Sequence, residues 1–211
     1  MKKILLLILL LGIMLVAGCT SETNGNGDGG DGTDIGVGGN ALQDFANVVS
    51  KGARATYKVD YTYTASGDSG SQTWYAKGIK KKIVAEVQGM IASVYYLPEG
   101  VFTCTNVQGQ DMCFKSSATQ DSTAIVGDIY NNPEGYNVVS KSGRIIAGQS
   151  TSCFGLTKAG SGELEVCYAD SGVTMYLQGS GTTMQATSYS TSVSDSEFEL
   201  PATPQTIPAG Y

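Results

Sequence analysis

Histidine is absent from the 211 residues. Without it there is no Ser-His-Asp triad, no Cys-His pair and no imidazole metal ligand. Charge is scarce too, at 15% of residues, and it is lopsided: 13 Lys and Arg against 19 Asp and Glu, a formal −6. A surface of that sign gives phosphates no electrostatic reason to bind, so nucleic acid is not an expected partner. No Cys-x-x-Cys occurs, which removes the usual redox motif, and no Ser-x-x-Lys occurs to activate a serine. No apolar run reaches the 18 residues of a membrane span. What is plentiful is Gly (28), Tyr (12), Ser and Thr, a composition that favours β structure.

The chain opens with Met1-Lys2-Lys3, then Ile4 to Ala17, fourteen residues that are apolar apart from Gly12, then Gly18 and Cys19. A basic start, an apolar stretch and small residues at its end form a secretory signal. Leu15-Val16-Ala17-Gly18-Cys19 resembles the lipobox of prokaryotic lipoproteins. That resemblance implies cleavage before Cys19 and a diacylglycerol thioether on its sulfur, hence a protein anchored to the cell membrane and facing away from the cytoplasm. Loss of residues 1–18 removes Lys2 and Lys3, leaving 11 basic and 19 acidic side chains, a charge of −8. No polybasic patch then holds the whole chain to a membrane, whereas two acyl chains do so stably. Residues 20–39 contain eight Gly and four acids and read as a flexible tether with a reach of about 25 Å. Asp28, Asp31 and Asp34 lack the spacing of a calcium loop. The expected layout is a signal peptide over 1–18, a lipidated cysteine and tether over 19–39, and one domain over 40–211.

The domain starts with a helix over 40–52, Asn40 as its N-cap, with an apolar stripe of Leu42, Phe45, Ala46, Val49 and Val48. From Ala53 the period becomes two: Ala53, Ala55, Tyr57, Val59, Tyr61 and Tyr63 alternate with polar residues, a long half-buried strand. Further strands are expected over 72–78, 80–87, 91–97, 101–107, 110–115, 136–140, 144–156, 162–169, 173–179 and 182–191, with a short helix over 121–130. Turns this closely spaced predict a curved antiparallel meander, mainly β with an N-terminal helix and one helical insertion.

The cysteines beyond Cys19 form two symmetric pairs. Cys104 and Cys113 flank Gln108-Gly109, and Cys153 and Cys167 flank Gly160. Residues equally spaced from a hairpin turn face each other at bridging distance. Of three possible connectivities, the hairpins select Cys104–Cys113 and Cys153–Cys167. The paired acids Glu163/Glu165 and Asp195/Glu197/Glu199 read as solvent-facing rather than as an acid/base pair, and Lys80-Lys81-Lys82 as a solvated turn or strand start rather than a lipid head-group contact. Neither a catalytic residue nor a metal or other cofactor is expected.

Three stretches, Trp74–Val84, Arg144–Phe154 and Ser188–Pro201, together with the order of elements, resemble the LolA-like lipoprotein-carrier superfamily of half-barrel proteins. The likeness covers most of residues 40–204. It implies a curved sheet whose concave side, under helices, takes a lipid or another hydrophobic small molecule, and it transfers no ligand residue. The disulfides and the lipid anchor depart from the soluble carrier, which weighs against a freely shuttling role. On this chain the concave side is expected to carry Tyr57, Val59, Tyr61 and Tyr63 on the first strand and Val173, Met175 and Leu177 on a later one. The alternative is a structural or sensory envelope lipoprotein with a filled core and a protein partner.

Overall fold

A computed structural model describes residues 38–65, 67–87, 89–116, 135–158, 160 and 162–206. The lipobox with Cys19, the tether up to residue 37 and the helix expected over 121–130 lie outside the described residues. Helix α1 spans Gly38–Gly52. It starts two residues before the expected cap, so Asn40 is inside the helix. Ala41, Phe45 and Val48, at i, i+4 and i+7, are its buried stripe, with Leu42 and Val49 packed at the flanks. At its C-terminal end Gly52 meets Gly172 of a strand turn. A Cβ on Gly52 would collide with the Gly172 carbonyl oxygen, so two glycines allow the helix to dock on the sheet.

Among the described residues thirteen strands follow: β1 Tyr57–Ala65, β2 Asp68–Lys77, β3 Lys80–Val87, β4 Met90–Leu97, β5 Gly100–Val107, β6 Gln110–Ser116, β7 Tyr136–Lys141, β8 Ile145–Ile146, β9 Gln149–Lys158, β10 Leu164–Ala169, β11 Thr174–Gly179, β12 Thr182–Ser190 and β13 Pro204–Thr206. They join in one open curved sheet, ordered β13-β6-β5-β4-β3-β2-β1-β12-β11-β10-β9-β7, with β8 pairing β9. All pairings are antiparallel except β13 with β6. The expected half-barrel meander is present, built as two meanders that meet where β1 pairs β12.

Local differences have local causes. Residues 53–56 belong to a turn and an irregular link, so β1 starts at Tyr57. The strand expected over 144–156 is broken by Ala147-Gly148, both at positive φ, into β8 and β9. β13 was not expected: three residues show no periodicity, and the strand exists through its pairing with β6.

Residues directly opposite in a register share a face. The chain of pairs Tyr63–Met184–Leu177–Val166–Phe154 crosses from β1 to β9 on one face, here called the inner face. Phe45 of α1 packs edge-on against Phe154, centroids 5.5 Å apart, so the helix lies on that face. On the outer face of β2–β6 the chain leaving β12 runs as a strap. Its 3-10 turn, Asp195–Phe198, inserts Phe198 into a cluster with Tyr95, Leu97, Phe102, Cys104 and Cys113, and Leu200 and Ala202 complete the cover before β13 adds to the edge.

Candidate functional site

The seven residues expected to line a cavity do come together. Val59, Tyr61, Tyr63, Val173 and Met175 are buried in one cluster, and Tyr57 and Leu177 pack against it. They touch one another. Val59 and Met175 are 0% exposed and Tyr61 is 1% exposed. The Tyr61 hydroxyl donates to the Thr174 carbonyl oxygen at 2.6 Å, and its ring lies 5.1 Å from that of Trp74. Burial, with Tyr57 adding repulsion, pushes the Tyr61 phenol well above its ordinary range. Tyr57 is half-buried as a residue, yet burial of its hydroxyl end, with Tyr189 nearby, pushes it up to about 12. These side chains form a packed core around the hydrogen-bonded phenol of Tyr61.

Beside this core, the inner face continues across β2–β6 as a row that the sequence did not reveal. Val59 faces Trp74, Trp74 faces Ile83, Ile83 faces Val94, Val94 faces Thr103 and Thr103 faces Phe114. Trp74, Ile83, Val94, Thr103 and Phe114 are half-buried, unlike their packed neighbours on β1. No member of the row is charged. The indole Nε1 of Trp74 donates to Gln72 Oε1 at 2.9 Å, so the ring's one polar atom is satisfied and its face remains apolar. The adjacent row contributes only small side chains at its centre, Ala85 and Ala92, both buried. With strands roughly 4.8 Å apart, six aligned positions extend about 24 Å, comparable with an extended acyl chain. The alternation within each strand was visible in the sequence; the alignment between strands depends on registers, which were not.

Two solvent-open depressions measure about 430 and 420 Å³. Thr62, Tyr63, Thr64, Ser69, Gly70, Ser71 and Glu86 line the first, and Glu163, Glu165, Gln178 and Thr183 are among those lining the second. Glu163 pairs with Lys141 at 2.6 Å and Glu165 with Arg144, whose guanidinium also covers the Tyr176 ring at 4.3 Å. Of the five carboxylates expected to face solvent, Glu163, Glu165, Asp195 and Glu197 do so paired with a cation. Among the described residues no cluster of metal-ligating side chains occurs, and no helix is long and apolar enough to cross a membrane.

On the outer face, both cysteine pairs are bonded, Cys104–Cys113 and Cys153–Cys167, with each pair directly opposite in its hairpin. Of the lysines expected to be solvated, Lys80 and Lys82 are engaged. Lys58, Tyr75, Lys82, Tyr95, Phe102 and Lys115 face one another in turn from β1 to β6. Lys82 stands 5.0 Å from the Tyr75 centroid and 5.3 Å from that of Tyr95. The strap closes over this ladder: Glu197 reaches Lys82 at 3.1 Å, and Asp195 reaches Lys77 at 2.9 Å.

No family model and no curated protein matches this sequence. Solved structures do. The crystal structure of MucB superposes with a TM-score of 0.52 at 15% identity, over 78% of this chain and 64% of MucB. This chain thus spans less than two thirds of MucB. An uncharacterized conserved protein from Thermus thermophilus gives the same TM-score at 8% identity, over 78% of this chain and 97% of that one. At such identities the likeness concerns the fold alone, the curved open sheet with its helix on the inner face.

Proposed function

We propose that this is an envelope lipoprotein, anchored through diacylglycerol on Cys19, whose half-barrel holds the hydrophobic part of a lipid or similar amphiphile. The observation that carries the reading is the half-buried, uncharged row Trp74–Ile83–Val94–Thr103–Phe114, aligned strand to strand on the helix side of the sheet. Each methylene laid against it contributes roughly 0.8 kcal/mol, enough for a long chain to bind against its ordering cost. The role is binding rather than catalysis, since Glu163, Glu165, Asp195 and Glu197 each carry a cationic partner. Tyr57, Val59, Tyr61, Tyr63, Val173, Met175 and Leu177 serve this site as its floor, fixing the curvature from which the row extends.

A second reading has its own support. The packing of those seven residues against one another suits a filled core, and a half-barrel of that kind would present its inner face to an envelope protein. Native mass spectrometry of the protein purified from its membrane tells the two apart. A co-purifying amphiphile released by organic solvent is expected; a ligand-free protein that retains a bound polypeptide would favour the second.

A further inference from the structure

The β1–β6 half of the sheet is electrically polarised along its strands. Register places Tyr57 opposite Ala76, Lys77 opposite Lys80, Lys81 opposite Tyr96 and Phe102 opposite Lys115. Lys58, Lys77, Lys80, Lys81, Lys82 and Lys115 therefore gather at the end where β2 turns into β3 and β4 into β5. The opposite end of the same strands carries Asp68, Glu86 and Asp111. Acids reaching the lysine end are few. Asp195 is shared between Lys77 at 2.9 Å and Lys80 at 3.9 Å, Glu197 takes Lys82, Asp60 on β1 lies close enough to Lys58 to feel its charge, and Glu99 lies in the neighbouring turn, four acids against six lysines. Among the described residues no carboxylate lies within ion-pair distance of Lys58, Lys81 or Lys115. A chain of formal charge −6 thus keeps one locally cationic end.

At the tip of that end stands Ile79, between Gly78, at φ 62°, and Lys80. It is 70% exposed. An aliphatic side chain on a convex hairpin tip, with lysines on both sides, has the chemistry of a bilayer contact. The side chain enters the boundary between headgroups and acyl chains, and the ammonium groups stay at the phosphates. A protein partner would have to offer a pocket for a projecting tip, whereas a lipid surface deforms around it. Ile145 is more exposed still, at 77%, but the guanidinium beside it is held by Glu165 and Tyr176, whereas beside Ile79 Lys77 and Lys80 share the single Asp195 and Lys81 has no carboxylate within ion-pair distance.

We propose that the β2–β3 tip is a docking contact for an anionic lipid surface, with Ile79 inserted and Lys77, Lys80 and Lys81 facing headgroup phosphates. The contact is separate from both the acyl anchor and the inner-face row. The test uses the mature chain from residue 19 carrying Cys19→Ser, so that no acyl chain holds it, and sedimentation with vesicles. One set is phosphatidylcholine; the other is phosphatidylcholine and phosphatidylglycerol in equal parts. Binding is expected only to the second set, weakening as salt rises. Ile79→Ser should weaken it roughly tenfold and Lys81→Gln roughly fivefold. Ile91→Ser, an exposed isoleucine near the acidic end, should leave it unchanged. No binding, equal binding to both sets, or an Ile91→Ser loss as large as that of Ile79→Ser overturns the proposal. Equal binding is the result expected of lipid uptake by the inner face alone.

Discussion

Ala147 has φ 48° and sits ahead of Gly148 in the turn between β8 and β9. Alanine occupies that left-handed region at a cost, whereas asparagine tolerates it. Ala147→Asn should raise stability by about 0.5–1 kcal/mol in urea unfolding with the slope unchanged; no gain would mean that the turn is not left-handed at this residue. At the core, Val173 is 2% exposed, so Val173→Trp should overpack and cost about 1–3 kcal/mol. A Trp accommodated without loss would reveal space that the packed cluster leaves no room for. Tyr57 adds a pH dependence. Its phenol rises from an ordinary 10.0 to about 12 on folding, so the folded state holds its proton more tightly. The stability this provides is complete below pH 10 and is lost as pH climbs toward 12, in all about 3 kcal/mol. Tyr57→Phe should flatten that part of the alkaline unfolding profile, and an unchanged slope would count against the burial of the hydroxyl.

Among the elements, the strap has the largest predicted effect. Phe198 is 5% exposed and fills the outer-face cluster beneath it. Phe198→Ala should cost roughly 3 kcal/mol by the cavity it leaves, and hydrogen exchange should rise first in β13 and β6. If the loss is spread evenly over the sheet, the strap is not what holds that edge. The strap also shows where sequence reading stops. Hairpins were legible because a turn and the two flanking strands are neighbours in sequence, and Cys104–Cys113 and Cys153–Cys167 followed from symmetry about their turns. The Lys77–Asp195 and Lys82–Glu197 pairs join residues more than a hundred positions apart, and no local pattern signals them. The same limit hid the inner-face row. Trp74, Ile83, Val94 and Phe114 are each unremarkable in their own strands, and they form a row only through four successive registers. Tyr57 to Tyr63 drew attention instead because their alternation is strong, and strong alternation marks burial before it marks binding.

At the scale of the whole molecule, the proposed anchor and the proposed binding face are tested separately. If the Cys19 lipobox is processed as its resemblance implies, Cys19→Ser should move the protein out of the tightly held membrane fraction, leaving only a salt-sensitive association through the β2–β3 tip. Retention against high salt with normal processing would contradict the anchor. The proposed binding face carries its own reporter. Trp74 is the single tryptophan of the chain and stands in the apolar row. Titrating the folded protein with a long-chain fatty acid while following tryptophan emission tests the central claim most directly. The account predicts a saturable blue shift as the half-buried indole is covered, abolished by Ile83→Asp in a protein that remains folded by circular dichroism. Emission that stays constant through the titration, with no saturable uptake, would contradict it.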